Sequence, residues 1–154
     1  MRIDADRERT IFWFMFDKAL TENGEPFTIT YESGEERKTL SWCAVNNSNP
    51  MADKILSINF SVQKKEAYIG INIRDDLDFY SRLLKNKEDI ENIIGNYITW
   101  ERGKRNPNTR SIRITKYIEP GNYRDYQVII DKFIPIVPKF IEVLNKYGEG
   151  KFFK

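Results

Sequence analysis

The sequence predicts an α+β fold in two layers, with a mainly antiparallel sheet of about six strands and three helices packed on one of its faces. Several short segments alternate apolar and polar residues, as half-buried strands do. Three longer segments repeat apolar residues every three or four positions, as amphipathic helices do. Most connections between successive strands are short, which favours antiparallel pairing. The predicted order of elements is α-β-β-β-β-α-β-β-α.

Size and composition favour one globular domain. The 154 residues are 40% hydrophobic and 14% aromatic, which fits a single domain over residues 1–154. The charged residues, 31% of the chain, are nearly balanced in sign and give a net charge of +2, so overall charge identifies no partner. The start lacks the apolar run of a signal peptide, and no stretch approaches the roughly 20 apolar residues that span a bilayer. We therefore expect a cytoplasmic protein without a membrane partner.

The first helix is predicted over residues 6–20. Its apolar positions follow the helical period: Ile11, Phe12, Met15, Phe16, Ala19 and Leu20. Trp13 and Phe14 fall outside that stripe, so two alternatives arise. Either the helix is buried on two sides, or Trp13 and Phe14 form an interface with a second copy of the chain or another protein.

Four strands are predicted after this helix. The first two, Phe27–Tyr31 and Leu40–Ala44, form a hairpin. A loop over residues 46–53, rich in turn-forming residues, precedes the clearest alternation in the chain, at residues 56–63. A charged turn at residues 64–66 then leads into a strand in which Ile69, Ile71 and Ile73 alternate with polar or small residues.

The central helix is predicted to begin at residues 75–76, where Asp75 or Asp76 caps its first turn. Its apolar face is formed by Leu77, Tyr80, Leu83, Leu84, Ile90, Ile93, Ile94 and Tyr97. Gly95 ends the helix in the left-handed conformation, and Ile98 and Trp100 then begin a short strand.

A basic turn, a sixth strand and a last helix complete the chain. The strand is predicted over residues 110–117, with Ile112 and Ile114 facing the core. The last helix begins near Asn122, and its apolar positions keep helical spacing to residue 147. Pro135 and Pro138 lie inside this run, so we expect a kink or a break there.

The basic segment, residues 102–116, is the strongest candidate for a binding site. It contains six cations and no carboxylate. Cations on a turn and the adjoining sheet face contact phosphates, and an exposed aromatic ring stacks on a base. We therefore predict contact with DNA or RNA through Lys104, Arg105, Arg110, Arg113 and Lys116. The alternative is a solvated hairpin whose cations pair with neighbouring carboxylates such as Glu101 or Glu119.

Catalytic and metal sites have weaker support. The chain has no histidine, which removes serine–histidine and cysteine–histidine catalysis and leaves only carboxylates and Cys43 as metal ligands. Cys43 is interpreted as a small apolar strand residue, with a reactive thiol as the alternative. The sequence thus predicts no catalytic residue, no metal site and no cofactor. The enzyme alternative is a metal-dependent nuclease, in which Glu36-Arg37-Lys38 supplies a carboxylate and a lysine.

A family resemblance covers most of the chain. The segment Lys87-Glu88-Asp89-Ile90-Glu91, then Gly95, then Ile98-Thr99-Trp100-Glu101-Arg102, resembles the domain-of-unknown-function family numbered 4268. The resemblance is strongest over residues 55–115. It brings no assigned activity; members of the family resemble accessory domains, often carried at the end of longer bacterial or archaeal proteins with nuclease-like regions. The resemblance therefore implies a non-catalytic accessory or interaction domain, associated with nucleic acid or with restriction and nuclease-type systems.

Overall fold

A single sheet with helices packed against it forms the fold in the computed structural model, which describes residues 3–22, 27–31, 40–44, 56–104 and 106–149. The strands are β1 (Phe27–Tyr31), β2 (Leu40–Ala44), β3 (Leu56–Ser61), β4 (Glu66–Arg74), β5 (Thr99–Arg102) and β6 (Thr109–Tyr117). The helices are α1 (Ala5–Glu22), α2 (Leu77–Lys85), α3 (Lys87–Ile94), α4 (Tyr123–Phe133) and α5 (Val137–Tyr147), with a short 3-10 helix at Ile134–Ile136.

All pairings in the sheet are antiparallel, and the spatial order of the strands is β1-β2-β3-β4-β6-β5. The predicted mixed class and its antiparallel sheet are thus confirmed. The predicted number of helices is wrong, because the described residues form five α-helices instead of three. Side chains are described for the four strands β3 to β6, whereas β1 and β2 are described by their backbone.

Alternation along the strands gives the sheet one buried face. Ile58, Ile69 and Ile114 lie side by side across β3, β4 and β6, and all three are buried. On the opposite face, Tyr68 and Asn72 of β4 are only half-buried. Helices α2 and α5 both contact β4, so the apolar face of the sheet forms the core together with the helices.

The predicted central helix is divided in two at Asn86. The backbone N–H of Asn86 donates to the carbonyls of Leu83 and Leu84, and its side-chain amide donates to the carbonyl of Arg82 at 2.8 Å. Asparagine competes with the helical backbone in this way, so α2 ends and α3 starts anew at Lys87. Both predicted ends are confirmed: the Asp76 side chain accepts from the Phe79 N–H, and Gly95 has φ +71°.

The break also changes which residues face the core. Phe79, absent from the predicted stripe, is buried, as are the predicted Leu83, Ile90 and Ile94. The predicted core positions Leu77, Leu84 and Tyr97 are exposed, Tyr97 by 85%. A stripe drawn along one continuous helix loses its register where the helix is interrupted.

The last helix breaks at its prolines, as expected. Helix α4 ends at Phe133, the 3-10 helix carries Pro135, and α5 has Pro138 in its first turn, where a missing N–H costs nothing. Asn122 caps α4 by accepting from the Asp125 N–H at 3.3 Å.

Helix α1 packs against α4 through aromatic side chains and one buried polar pair. Trp13 is 5% exposed and its ring lies 4.9 Å from that of Phe12, whereas Phe14 is 71% exposed. Trp13 therefore lies in the core of the described structure, which agrees with a helix buried on two sides, and it is not an exposed interface residue. The Tyr126 hydroxyl donates to buried Glu8 at 2.7 Å. Among the described residues, no helix combines the length and the apolar character needed to cross a membrane.

Candidate nucleic-acid interface

The β5–β6 hairpin, residues 99–117, carries the basic segment. Its loop is closed by two backbone hydrogen bonds, from Gly103 N–H to Thr109 O at 2.8 Å and from Thr109 N–H to Asn106 O at 3.1 Å. A Cβ at Gly103 would lie only 2.7 Å from the Asn106 carbonyl oxygen, so this tight loop requires glycine. The loop is joined to the end of β4, because Asp75 N–H donates to Asn108 O at 3.1 Å. Arg105 lies outside the described residues.

Strand register divides the predicted cations between the two faces of the sheet. Arg110 and Lys116 occupy the same alternate positions of β6 as the buried Ile112 and Ile114, so they belong to the face that the helices cover. Arg113 occupies the intervening set, on the opposite face. The predicted nucleic-acid-binding residues therefore lie around the hairpin and do not form one patch on one sheet face.

Arg113 is held in place by its neighbours. Its guanidinium lies 4.0 Å from the centre of the Tyr68 ring, and its Nε lies 3.5 Å from a carboxylate oxygen of Glu101. Glu101 also accepts a hydrogen bond from the Thr99 hydroxyl at 3.2 Å. Gly70, directly opposite Arg113 on β4, has no side chain, so the two backbones approach closely. Arg113 thus has a carboxylate partner within the protein, although its buried Nε forms no hydrogen bond with the described residues.

Arg110 is oriented by carbonyl oxygens and by an aromatic ring. Its Nη1 donates to Pro107 O at 2.5 Å and to Thr109 O at 3.1 Å. Its guanidinium lies 5.7 Å from the centre of the Tyr80 ring, in α2. Burial raises the pKa of the Tyr80 hydroxyl, and the nearby charge of Arg110 opposes that rise. Tyr80 is therefore a neutral partner, and Arg110 forms no ion pair with a described carboxylate.

The helical pattern predicts Tyr80 on the apolar face and indicates no site role for Lys87. Tyr80 does pack against the core, and both residues also lie beside the hairpin. The rings of Tyr80 and Trp100 are 6.2 Å apart, and the Lys87 ammonium lies 6.0 Å from the Trp100 ring. Trp100 is half-buried among these side chains and packs against the core. The helical spacing that placed Tyr80 on the apolar face gave no sign of its cation partner, which comes from a strand 30 positions further along the chain.

Four cations of the hairpin form no ion pair with any residue that the structure describes: Arg102, Lys104, Arg110 and Lys116. Arg102 and Lys104 are exposed, and Lys116 is half-buried. Glu119, a predicted partner for these cations, instead lies 3.8 Å from Lys65 and accepts a hydrogen bond from the Tyr117 hydroxyl, which raises the pKa of that hydroxyl. Tyr117 is exposed at the end of β6.

Metal-ligating side chains do not cluster in the described part of the chain. Within the described ranges, no three side chains of histidine, cysteine, aspartate or glutamate converge as a metal site would require. The Glu36-Arg37-Lys38 segment of the nuclease alternative lies outside those ranges, and so does the side chain of Cys43.

Comparison with known proteins identifies a family. No curated protein and no solved structure matches the chain significantly. The profile of one family, described as "Domain of unknown function (DUF4268)", matches residues 9–148. This match spans most of the chain, from the first helix to the end of α5. The chain therefore belongs to the DUF4268 family.

Proposed function

We propose that this chain is a non-catalytic accessory domain that binds nucleic acid through the β5–β6 hairpin. The observation that carries the proposal is a group of cations on one hairpin that form no ion pair with the described residues: Arg102, Lys104, Arg110 and Lys116. The carboxylate within the hairpin, Glu101, is occupied by Arg113 and Thr99 on the other side of the sheet. Unpaired surface cations attract phosphates and release counterions when they bind them, which favours a sequence-independent contact.

Two features beside these cations suit a polyanion. The Gly103 loop is short and tied to β4, so Lys104 extends from a defined turn. Tyr97 precedes β5 and Tyr117 ends β6, so both lie towards the open end of the hairpin, where Lys116 also lies. Both are exposed aromatic residues that are available to stack on unpaired bases. Single-stranded DNA or RNA therefore fits the hairpin better than a fully paired duplex, whose bases are already stacked.

The test is binding of the purified protein to labelled single- and double-stranded DNA and RNA at several salt concentrations. The hairpin variant carries Arg102→Glu, Lys104→Glu and Lys116→Glu. The control variant carries Arg7→Glu, Arg124→Glu and Lys132→Glu, which changes the charge equally on exposed positions of α1 and α4. Arg113 is left unchanged because it contacts Tyr68 and Glu101 within the fold.

Each outcome decides for or against the hairpin. Affinity should fall steeply with salt, and the hairpin variant should lose about 100-fold or more in affinity while the control loses far less. Equal losses in the two variants would show that only overall charge matters and would refute the hairpin as the contact. Adding magnesium and inspecting the nucleic acid on a gel tests the nuclease alternative, because cleaved products that disappear in Glu36→Ala would replace the non-catalytic proposal.

A further inference from the structure

Two arginines of the hairpin lie directly opposite each other. Arg102 of β5 and Arg110 of β6 are register partners, so their side chains leave the same face of the sheet. Like charges at directly opposed positions destabilise a sheet. An anion between the two guanidinium groups would convert this repulsion into attraction.

No carboxylate in the described part of the chain forms an ion pair with either arginine. Glu101, next to Arg102 in sequence, belongs to the opposite face and pairs with Arg113. The other cation close to this face, Lys87, is 3.8 Å from Glu91 of its own helix. Within the described ranges, the two arginines thus form a local positive site that has no paired carboxylate.

One member of the pair is already oriented for binding. Arg110 uses Nη1 for the carbonyls of Pro107 and Thr109, and its guanidinium lies over the Tyr80 ring. These contacts fix the plane of the guanidinium and leave its Nε and Nη2 without a hydrogen-bond partner among the described residues. A planar guanidinium with two free N–H groups matches two oxygens of a phosphate.

We infer that Arg102 and Arg110 together form a phosphate-binding site. Arg110 supplies two N–H donors in a fixed orientation, and the exposed Arg102, on the neighbouring strand, binds the same phosphate. The inference rests on the proposed function in taking this phosphate to be a phosphodiester of the bound nucleic acid. A free phosphate group carries the same chemistry, so the experiment includes both sources.

The test compares wild-type protein with Arg102→Gln and a matched control, Arg74→Gln. Arg74 is exposed at the end of β4, where its alternate position places it on the opposite face from Arg110. Two readouts are used at constant ionic strength, with sodium chloride replacing phosphate in the reference. The first is the thermal unfolding midpoint as inorganic phosphate is added. The second is affinity for an oligonucleotide with natural phosphodiesters and for one with an uncharged methylphosphonate backbone.

The expected result has two parts. Without phosphate, Arg102→Gln should be at least as stable as wild type, because the repulsion is removed. With phosphate, wild type and Arg74→Gln should be stabilised beyond the chloride reference, whereas Arg102→Gln should need about ten times more phosphate for the same shift. Arg102→Gln should also bind the natural oligonucleotide about tenfold more weakly, and the methylphosphonate oligonucleotide should bind all three proteins equally poorly.

The other outcomes separate this inference from the proposed function. Equal phosphate response and equal oligonucleotide affinity in wild type and Arg102→Gln would overturn the arginine site even if the oligonucleotide binds. Loss of the phosphate response in Arg102→Gln, with no oligonucleotide binding to any protein, would support the site as one for a small phosphate-bearing molecule and would overturn the proposed function. No response of wild type to either ligand would overturn both.

Discussion

Replacing Gly70 by alanine should destabilise the sheet by forcing two of its strands apart. Gly70 lies in β4, between β3 and β6. An alanine Cβ would lie 2.3 Å from the Ile112 carbonyl oxygen and 2.7 Å from the Arg113 Cβ. Two of the three nearest atoms belong to the backbone of β6, so no side-chain rotation relieves the overlap and β6 must move away. Overpacking of this kind costs about 1–3 kcal/mol, and the weakening of one or two ladder hydrogen bonds adds about 1 kcal/mol each.

The expected loss is about 3 kcal/mol in the free energy of unfolding, or roughly 10 °C in the thermal midpoint for a chain of this size. Urea unfolding followed by circular dichroism measures it, with Gly95→Ala as the control. Gly95 has φ +71°, and among the described residues only the Lys139 Nζ, at 3.6 Å, comes near its added Cβ. That variant should lose about 1 kcal/mol through backbone strain alone. A Gly70→Ala protein within about 1 kcal/mol of wild type would refute the close approach of β4 and β6.

Three further substitutions test the packing of α1 against α4. Trp13→Ala should lose about 3–5 kcal/mol of stability, because it leaves a cavity in the core, whereas Phe14→Ala should stay within about 0.5 kcal/mol of wild type. Urea unfolding of the two variants measures the difference. A small loss in Trp13→Ala would contradict the placement of Trp13 in the core. Tyr126→Phe should lose about 2 kcal/mol, because the hydroxyl donates to Glu8 and accepts from the Gly121 N–H at 2.8 Å. Burial raises the pKa of Tyr126 above its ordinary value of 10.0, so its contribution is complete below pH 10 and is lost as pH rises further. Stability measured between about pH 9 and 11 should therefore fall less in Tyr126→Phe than in wild type, and parallel curves would be evidence against the buried hydroxyl.

The elements of the fold were predictable wherever local chemistry decided them. Asp76 and Gly95 mark helix ends through their own hydrogen bonding and backbone conformation, so their roles were visible in the sequence. The interruption at Asn86 was not visible, because apolar spacing continues past it on both sides. Asparagine in a helix interior is common enough that only its actual hydrogen bond, to the Arg82 carbonyl, shows that the helix ends there.

The candidate site was predictable in composition but not in arrangement. Counting cations located the basic segment, and the alternation of β6 already assigned Arg113 to the face opposite Ile112. The opposition of Arg102 to Arg110 depends on the register between two strands, which the length and conformation of the loop set. The contact of Arg110 with Tyr80 depends on how α2 lies on the sheet. The Arg102–Arg110 pairing and the Arg110–Tyr80 contact are tertiary interactions, so the sequence pattern of a single segment does not predict them.

Arg110 and Arg102 stand on strands that are held differently in the sheet, because β6 lies between β4 and β5. Strand β6 is bonded on both sides, through nine residue pairs to β4 and four to β5, whereas β5 is the last strand of the sheet. Arg110 therefore stands on a stiff strand, and Arg102 stands on one whose outer edge is free to adjust. A site with one fixed and one adjustable arginine tolerates small changes in the position of the bound phosphate. The proposed site therefore suits the repeating phosphates of a nucleic-acid backbone better than a ligand of one exact shape.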